Sequence, residues 1–133
     1  MNRRSLTLLP VLAVAAATLG ACGSQGIEVE DSATVRHGAE LFAQRCSGCH
    51  TLESAGSQGS AFQIRDRERV DGPNFNVRAE SVENVLYAIR NGGYSGAIMP
   101  ENLVVGKDAD DVAEYLAKYS GREAKAPESP KEK

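Results

Sequence analysis

Tryptophan is absent from this chain of 133 residues, which contains only three cysteines, two histidines and two methionines. With so few cysteines and histidines, the chain offers few ligands for a zinc site built from two pairs. Lysine is also scarce, since Lys107 is the only lysine between Cys22 and Glu114. The formal charge of −3 argues against nucleic acid and against electrostatic binding to anionic lipid. A chain of this length forms one domain with a modest core.

The N-terminus has the pattern of an export signal, in which two early arginines precede an apolar segment over residues 6–19. Residues 19–22, Leu-Gly-Ala-Cys, resemble the cleavage box of bacterial lipoproteins. The resemblance implies that residues 1–21 are removed and that Cys22 carries a lipid. An uncleaved anchor is the alternative, although the segment is short for a membrane span. Either way we expect an extracytoplasmic protein tethered to a membrane, in the periplasm or on the outer face of the cytoplasmic membrane.

Composition divides the remaining chain into three parts. Residues 22–31 are mostly polar and are predicted to be a lipid-anchored tether. Residues 122–133 combine prolines with alternating charges and are predicted to be a disordered tail. The folded domain is therefore predicted over residues 32–121, and it contains no internal repeat.

Three amphipathic helices are predicted within the domain, over residues 32–45, 81–91 and 108–120. Ser81 and Asp108 are candidate N-caps, and Gly92 supplies a helix stop. No convincing strand appears, so the predicted fold class is all-α with long loops. Apolar residues recur at helical spacing in each segment: Ala39, Phe42, Ala43 and Cys46; Val82, Val85, Leu86 and Ile89; and Val112, Tyr115, Leu116 and Tyr119.

The most informative motif is Cys46-Ser47-Gly48-Cys49-His50, which has the form of a c-type haem attachment site. Its two thiols can add across the vinyl groups of a porphyrin, and the spacing lets one helical turn carry both thioether bonds. His50 then lies beneath the iron and supplies a nitrogen ligand. A bare dithiol motif would instead indicate a redox dithiol or half a zinc site, but neither requires the following histidine.

The ordered set of motifs resembles the class I cytochromes c, the small monohaem electron carriers. The resemblance covers about residues 34–120 and implies the cytochrome c fold, with helices and loops around one covalently attached haem c. It rests on Gly38 and Phe42, on the attachment motif, on Gly72-Pro73-Asn74-Phe75, on Ile98-Met99-Pro100, and on the final helix around residues 112–116. In the family, the carbonyl of the proline at Pro73 accepts the proximal histidine N–H, and the methionine at Met99 is the distal iron ligand.

Met99 is also a reasonable ligand on chemical grounds. It is the only methionine after the predicted signal, and it precedes a proline in a loop between two helices. A thioether is a soft ligand that raises the reduction potential of haem iron. Two filled axial positions exclude dioxygen and peroxide, as an electron carrier requires. The alternative role for Met99 is packing in the core or at the surface.

The resemblance implies a one-electron carrier and not an enzyme, and no small-molecule substrate is expected. The implied partners are a terminal oxidase, a quinol-oxidising complex or a dehydrogenase. A haem sensor or peroxidase with an open iron site is one alternative, and an extracytoplasmic thiol–disulfide oxidoreductase using Cys46 and Cys49 is another. The latter requires a reactive thiol of low pKa at a helix N-terminus, whereas these cysteines end a predicted helix.

Four further expectations concern the surface. Residues 51–71 form a longer connection than compact family members have, and they are expected to be a solvated insertion with self-compensating charges; the alternative is a partner-docking loop. His37, Arg90 and Tyr94 are expected to be surface residues, although the last two could reach a haem propionate. Because lysines are scarce, the haem edge is expected to be neutral or acidic, with apolar contact deciding docking and with weak salt dependence of electron transfer to neutral partners.

Overall fold

The computed structural model describes residues 26–61, 63–94 and 98–122. The predicted signal peptide, Cys22 and residues 123–133 of the predicted tail lie outside this part. None of the helices described has the length and apolar character needed to cross a bilayer. The elements in chain order are α1 (Ala33–Arg45), β1 (Thr51–Leu52), a 3₁₀ turn (Glu53–Ala55), β2 (Ser57–Gln58), a second 3₁₀ turn (Ile64–Asp66), α2 (Val82–Asn91) and α3 (Lys107–Tyr119).

The helix ends follow the local signals with one exception. The Ser81 hydroxyl accepts the N–H of Asn84 (3.2 Å), and α2 ends at Gly92 in the left-handed conformation (φ 66°). The prediction that Asp108 caps α3 is wrong, because the N-cap is Gly106, whose φ of 57° redirects the chain. Asp108 lies in the first turn instead, where its charge still faces the positive end of the helix dipole.

The centre of the domain is the crossing of α1 and α3. A Cβ added to Gly38 would lie 2.1 Å from the carbonyl oxygen of Asp111, so only glycine permits this approach of the two backbones. One turn further along, the rings of Phe42 and Tyr115 meet edge to face with their centroids 5.9 Å apart. The expected packing of the first helix against the last is therefore present.

The segment before α1 packs against the domain and does not form the predicted tether from Gly26 onward. Val29 is 2% exposed and belongs to the core. The N–H of Glu28 donates to the Ser54 carbonyl (2.9 Å), and the Asp31 carboxylate pairs with a lysine of α3. Apolar residues alternate with glutamates here. The mostly polar composition of residues 22–31 as a whole gave no sign of this alternation. The described folded body therefore begins before residue 32.

The first half of the connection over residues 51–71 is also part of the fold. β1 and β2 form a short antiparallel hairpin, so the expectation of no strand is wrong at this place. Leu52 and Ala55 are buried, which contradicts a purely solvated insertion. The second half fits the expectation better, because residues 65–70 are exposed. Strands of two residues are too short to show an alternating pattern in the sequence.

Candidate functional site

One cavity of about 350 Å³ brings together the sequence-predicted site residues other than Cys22, which lies outside the described part. The end of α1, the loop over residues 67–75, α2, the loop over residues 98–103 and α3 surround it. Its walls are largely apolar and include Phe42, Phe75, Val85, Ile89, Ile98, Leu103, Val112 and Leu116. The site residues that line it are Cys46, Cys49, His50, Pro73 and Met99.

The attachment motif follows directly from the last turn of α1. The Cys46 N–H donates to the Phe42 carbonyl (2.8 Å), and the His50 N–H donates to the Cys46 carbonyl (3.0 Å). These bonds continue the helix as a tight turn, so both thiols and the imidazole line the same cavity. Neither thiol is in a disulfide. The residues of the motif therefore form one compact turn beside the cavity.

The imidazole of His50 is fixed from two directions. Its Nδ1 lies 3.2 Å from the carbonyl oxygen of Pro73, which is the contact implied by the resemblance. The Phe75 ring stacks on it at 4.9 Å between centroids and 14° between planes. Burial lowers the pKa of His50; the Pro73 carbonyl opposes that shift and the charge of Arg78 adds to it. The ring is therefore neutral at pH 7, and with Nδ1–H donating to Pro73 its Nε2 is free to bind a metal.

The loop that carries Pro73 returns to the attachment turn despite the long connection. The Gly72 N–H donates to the Cys49 carbonyl (2.7 Å), and the Phe75 N–H donates to the Thr51 carbonyl (2.8 Å). A Cβ at Gly72 would lie 2.3 Å from Cε1 of His50, so a side chain at this position would overlap the imidazole. The hairpin absorbs the extra residues, and the geometry around Pro73 is preserved.

Met99 lies on another wall of the cavity, partly buried against the core. Its loop is joined to the end of α2, because the Asn102 N–H donates to the Ile89 carbonyl (2.8 Å). A Cβ at Gly92 would lie 2.8 Å from the Met99 carbonyl oxygen. Cysteine sulfurs, an imidazole and a thioether around an apolar cavity suit a haem, whose porphyrin is large and flat and whose iron takes nitrogen and sulfur ligands.

The cysteine environment does not suit a redox dithiol. Burial, with a smaller contribution from the neighbouring Cys49, raises the pKa of the Cys46 thiol to about 12. A reactive dithiol needs the opposite shift, and it gains that shift at a helix N-terminus, whereas this pair follows a helix C-terminus. In the residues described, no group of three or more His, Cys, Asp or Glu side chains is placed to hold a metal ion, which also disfavours a zinc site.

Two expected surface residues have specific contacts. His37 is half-exposed, but its Nδ1 lies 2.8 Å from a carboxylate oxygen of buried Asp111, a partner 74 residues away that no local pattern could indicate. Tyr94 lines the cavity and its hydroxyl donates to the Asn84 carbonyl (2.9 Å). Arg90 does not line the cavity.

The rim of the cavity contradicts the expectation of a neutral or acidic edge. Among the described lining residues there are four arginines and two acidic residues, which leaves a net charge of +2 in a chain of net charge −3. The scarcity of lysine predicted a rim without positive charge. The number of lysines does not show where the arginines come together in the fold. The charged lining residues are Arg45, Arg67, Arg69, Arg78, Asp71 and Glu80.

Comparison with known proteins agrees with the conclusion that this cavity suits a haem. Residues 33–116 match the family model described as cytochrome C oxidase, cbb3-type, subunit III. The chain is 28% identical to cytochrome c-551 of Bacillus subtilis over 123 residues, which cover 86% of this chain and 96% of that protein.

Among solved structures, the fold is similar to the c-type cytochrome SorU of Sinorhizobium meliloti. The TM-score is 0.52 and the identity 28%, over 66% of this chain and 92% of SorU. The family match spans the described helices almost completely and includes the attachment motif and Met99. The chain therefore belongs to the cytochrome c family, the electron-transfer proteins that carry covalently bound haem c.

Proposed function

We propose that the protein is a one-electron carrier whose single haem c is bonded to Cys46 and Cys49, with its iron held by His50 and Met99. The observation that carries this proposal is the convergence of all four side chains on one apolar cavity. Bound haem supplies a one-electron couple, and the side chains around it determine its potential and access.

The residues of the chain have separate tasks in this proposal. The Pro73 carbonyl accepts a hydrogen bond from Nδ1–H of His50 and so fixes the tautomer in which Nε2 is free to bind a metal. Phe75 holds the plane of the imidazole by stacking on it. Met99 would supply its thioether sulfur to the bound haem iron, and together with His50 it would leave no position on the metal open to small oxidants. Bound haem would then supply electron transfer and no other chemistry.

A membrane-attached respiratory role is part of the proposal. In this proposal Cys22 carries a lipid after removal of residues 1–21 outside the cytoplasm, and the lipoprotein-type box over residues 19–22 supports it. Electron donors or acceptors of the expected classes are a quinol-oxidising complex, a dehydrogenase or a terminal oxidase. The oxidase is favoured by the description of the matching family, which names a subunit of a cytochrome c oxidase. Mass spectrometry of the mature protein tests the lipid, and an unmodified Cys22 would contradict it.

Replacement of Met99 by alanine tests the axial assignment. We expect the Met99→Ala holoprotein to lose its iron–sulfur charge-transfer band and to have a lower reduction potential, because the soft thioether favours ferrous iron. Leu103→Ala is the matched control, since Leu103 also lines the cavity but carries no ligand atom.

Absorption spectra of the oxidised and reduced forms distinguish the alternatives. A wild-type protein with a high-spin, five-coordinate spectrum would favour a sensor or a peroxidase. An unchanged band and potential in Met99→Ala would remove Met99 as the ligand. Purified, correctly matured protein without haem bands would overturn the proposed function as a whole.

A further inference from the structure

The segment before α1 is held against the folded body along its length. At its C-terminal end, the Asp31 carboxylate pairs with Lys118 of α3. Further towards the N-terminus, the Glu28 N–H donates to the Ser54 carbonyl (2.9 Å), and the valine between these two contacts is buried in the core. The point at which the described chain leaves the body, at Gly26, therefore has a defined place on the surface.

This point lies on the same side of the domain as the attachment turn. Gly26 and Ile27 line a shallow groove along α1, together with Ser47 of the attachment turn and the end of the first 3₁₀ turn. The following strand leads to Gly59, whose N–H donates to the His50 carbonyl (3.1 Å). A Cβ at Gly59 would lie 2.0 Å from the Ser47 carbonyl oxygen, so the hairpin and the attachment turn are in direct contact.

The lining side chains give this groove no net charge. Its charged members, Arg36 and Glu40, lie one turn apart on α1, with 3.9 Å between Nε and Oε1. A surface of this kind has no basic patch to attract anionic lipid. It fits a zwitterionic headgroup layer to which a lipid anchor, and not charge, brings it. We call this surface the anchor groove, and it is lined by Gly26, Ile27, Arg36, Glu40, Ala43 and Ser47.

The length of chain before Gly26 limits where a bilayer can lie. Only three residues separate Gly26 from Cys22, and a fully extended chain spans at most about 3.6 Å per residue. A folded body of this size is about 30 Å across. Among the described helices, α3 packs against both α1 and α2, which have little contact with each other. With α2 on the far side of α3, a lipid on Cys22 cannot bring α2 to the membrane while the tether remains this short.

We infer that the anchor groove faces the bilayer and that the domain is held with its attachment turn towards the headgroup layer. This inference rests on the lipid at Cys22 in the proposed function, and it adds a fixed orientation to that lipid. The exposed residues Gly48 and Cys49 then lie on the membrane side of the domain. Redox centres close to the bilayer surface are therefore better placed to react with the protein than centres in the bulk solution.

The test uses the full-length, lipidated holoprotein in phosphatidylcholine vesicles that contain a small share of lipid with a nickel-chelating headgroup. One nitroxide label on an introduced cysteine reports its distance from the nickel by faster spin relaxation. Arg36→Cys and Gln44→Cys place the label on α1, at or beside the groove, and Glu83→Cys and Asn91→Cys place it on α2. All four positions are exposed. The protein is kept reduced, because low-spin ferrous iron is diamagnetic, and only variants with the wild-type haem spectrum are compared.

We expect the relaxation enhancement at both α1 positions to be at least about threefold that at both α2 positions, because most of the width of the body separates them. The control carries about thirty Gly and Ser residues inserted between Ser24 and Gln25 in each variant, which makes a long flexible tether. The body can then turn, so the ratio should fall to roughly one. Equal enhancement at the four positions with the native tether, or a larger enhancement on α2, would overturn the inference.

Two further observations separate the remaining outcomes. Broadening between labels at Arg36→Cys that grows with the surface density of the protein would assign the groove to a second copy of this chain and overturn the inference. Protein that does not sediment with the vesicles and has an unmodified Cys22 by mass spectrometry would contradict the lipid of the proposed function, and the orientation with it. Vesicle-bound, haem-loaded protein with equal enhancement at all labels would contradict the orientation alone.

Discussion

The loops that contact His50 and carry Met99, the two proposed iron ligands, are built very differently. On the side of His50, the loop over residues 72–75 contacts the imidazole through a carbonyl oxygen and an aromatic ring, and it is bonded to the attachment turn. On the side of Met99, the loop over residues 98–103 is joined to the end of α2 by backbone contacts, and the Met99 thioether makes no hydrogen bond with any residue that the structure describes.

This difference shows which ligand the protein prepares in advance. The imidazole has its tautomer and plane set by neighbours before any metal binds, which is how surrounding residues usually orient a histidine ligand. A thioether carries no proton and needs no tautomer, so positioning of its backbone is sufficient. We therefore expect substitutions in the His50 loop to affect formation of the holoprotein, and those in the Met99 loop to affect the axial bond.

The largest effect is expected from Gly72→Ala, which disturbs the loop that positions the His50 imidazole. Its Cβ would lie 2.3 Å from Cε1 and 2.5 Å from Nδ1 of His50, too close for any real contact. We expect displacement of the ring and a severe loss of covalently bound haem, measured as haem absorbance per protein. Gly48→Ala is the control within the same region, because a Cβ there meets nothing within 4 Å. Normal haem content in Gly72→Ala would contradict the account.

Gly38→Ala should weaken both sides together, because it lies at the helix crossing beneath them. The added Cβ would be 2.1 Å from the Asp111 carbonyl oxygen and 2.9 Å from Cβ of Tyr115. Overpacking of this kind lowers the free energy of unfolding by about 1–3 kcal/mol or more. Denaturant unfolding of the holoprotein measures it, with Gly26→Ala as an unobstructed control. Equal stability of the two variants would show that α1 and α3 can move apart to accept the added Cβ without loss of stability.

Gly92→Ala tests the loop that carries Met99, where it meets the end of α2. Alanine in the left-handed conformation costs about 1 kcal/mol, and its Cβ would approach the Met99 carbonyl oxygen to 2.8 Å. We expect a weaker iron–sulfur band with haem content retained. Gly92→Asn separates the two causes, because asparagine tolerates the backbone conformation but keeps the overlap. Loss of haem instead of the band would mean that the two loops do not differ as described.

A further expected effect concerns pH and the buried Asp111 of α3. Burial raises the pKa of this carboxyl, but hydrogen bonds from Lys107 and His37 outweigh it and leave the pKa below its ordinary value of 3.8. Since the folded pKa is below the unfolded one, the stabilisation is present above pH 3.8 and is lost as pH falls through the folded pKa.

Unfolding of Asp111→Asn at pH 6 and pH 3 measures this contribution. The variant should be less stable than the wild type at pH 6, by roughly 1–3 kcal/mol for lost charged hydrogen bonds, and the difference should shrink at pH 3. Exposed Asp110→Asn is the control. A stability difference that is the same at both pH values would mean that the charge of Asp111 is not responsible. Haem spectra of the folded forms should not change in either variant.

Local patterns were sufficient for the helices and for the attachment motif. The period of apolar residues places α1, α2 and α3 within one residue at each end, and the motif around Cys46 is contiguous, so its geometry follows from a single turn. Contacts between segments that are distant in the sequence could not be predicted from local patterns. The pairing of His37 with Asp111 and the gathering of Arg45 with Arg69 depend on how loops return to the helices. The burial of Val29 was masked by its polar neighbours.

The packing of residues 26–31 against the domain has a consequence for a protein anchored at Cys22. Only residues 23–25 would then separate the lipid from the folded body, and their full extension is about 13 Å from Cys22 to Gly26. Such a carrier cannot reach far into the aqueous phase. It would meet its partners by lateral diffusion within a thin layer above the bilayer, where the encounter rate depends on surface density and not on bulk concentration.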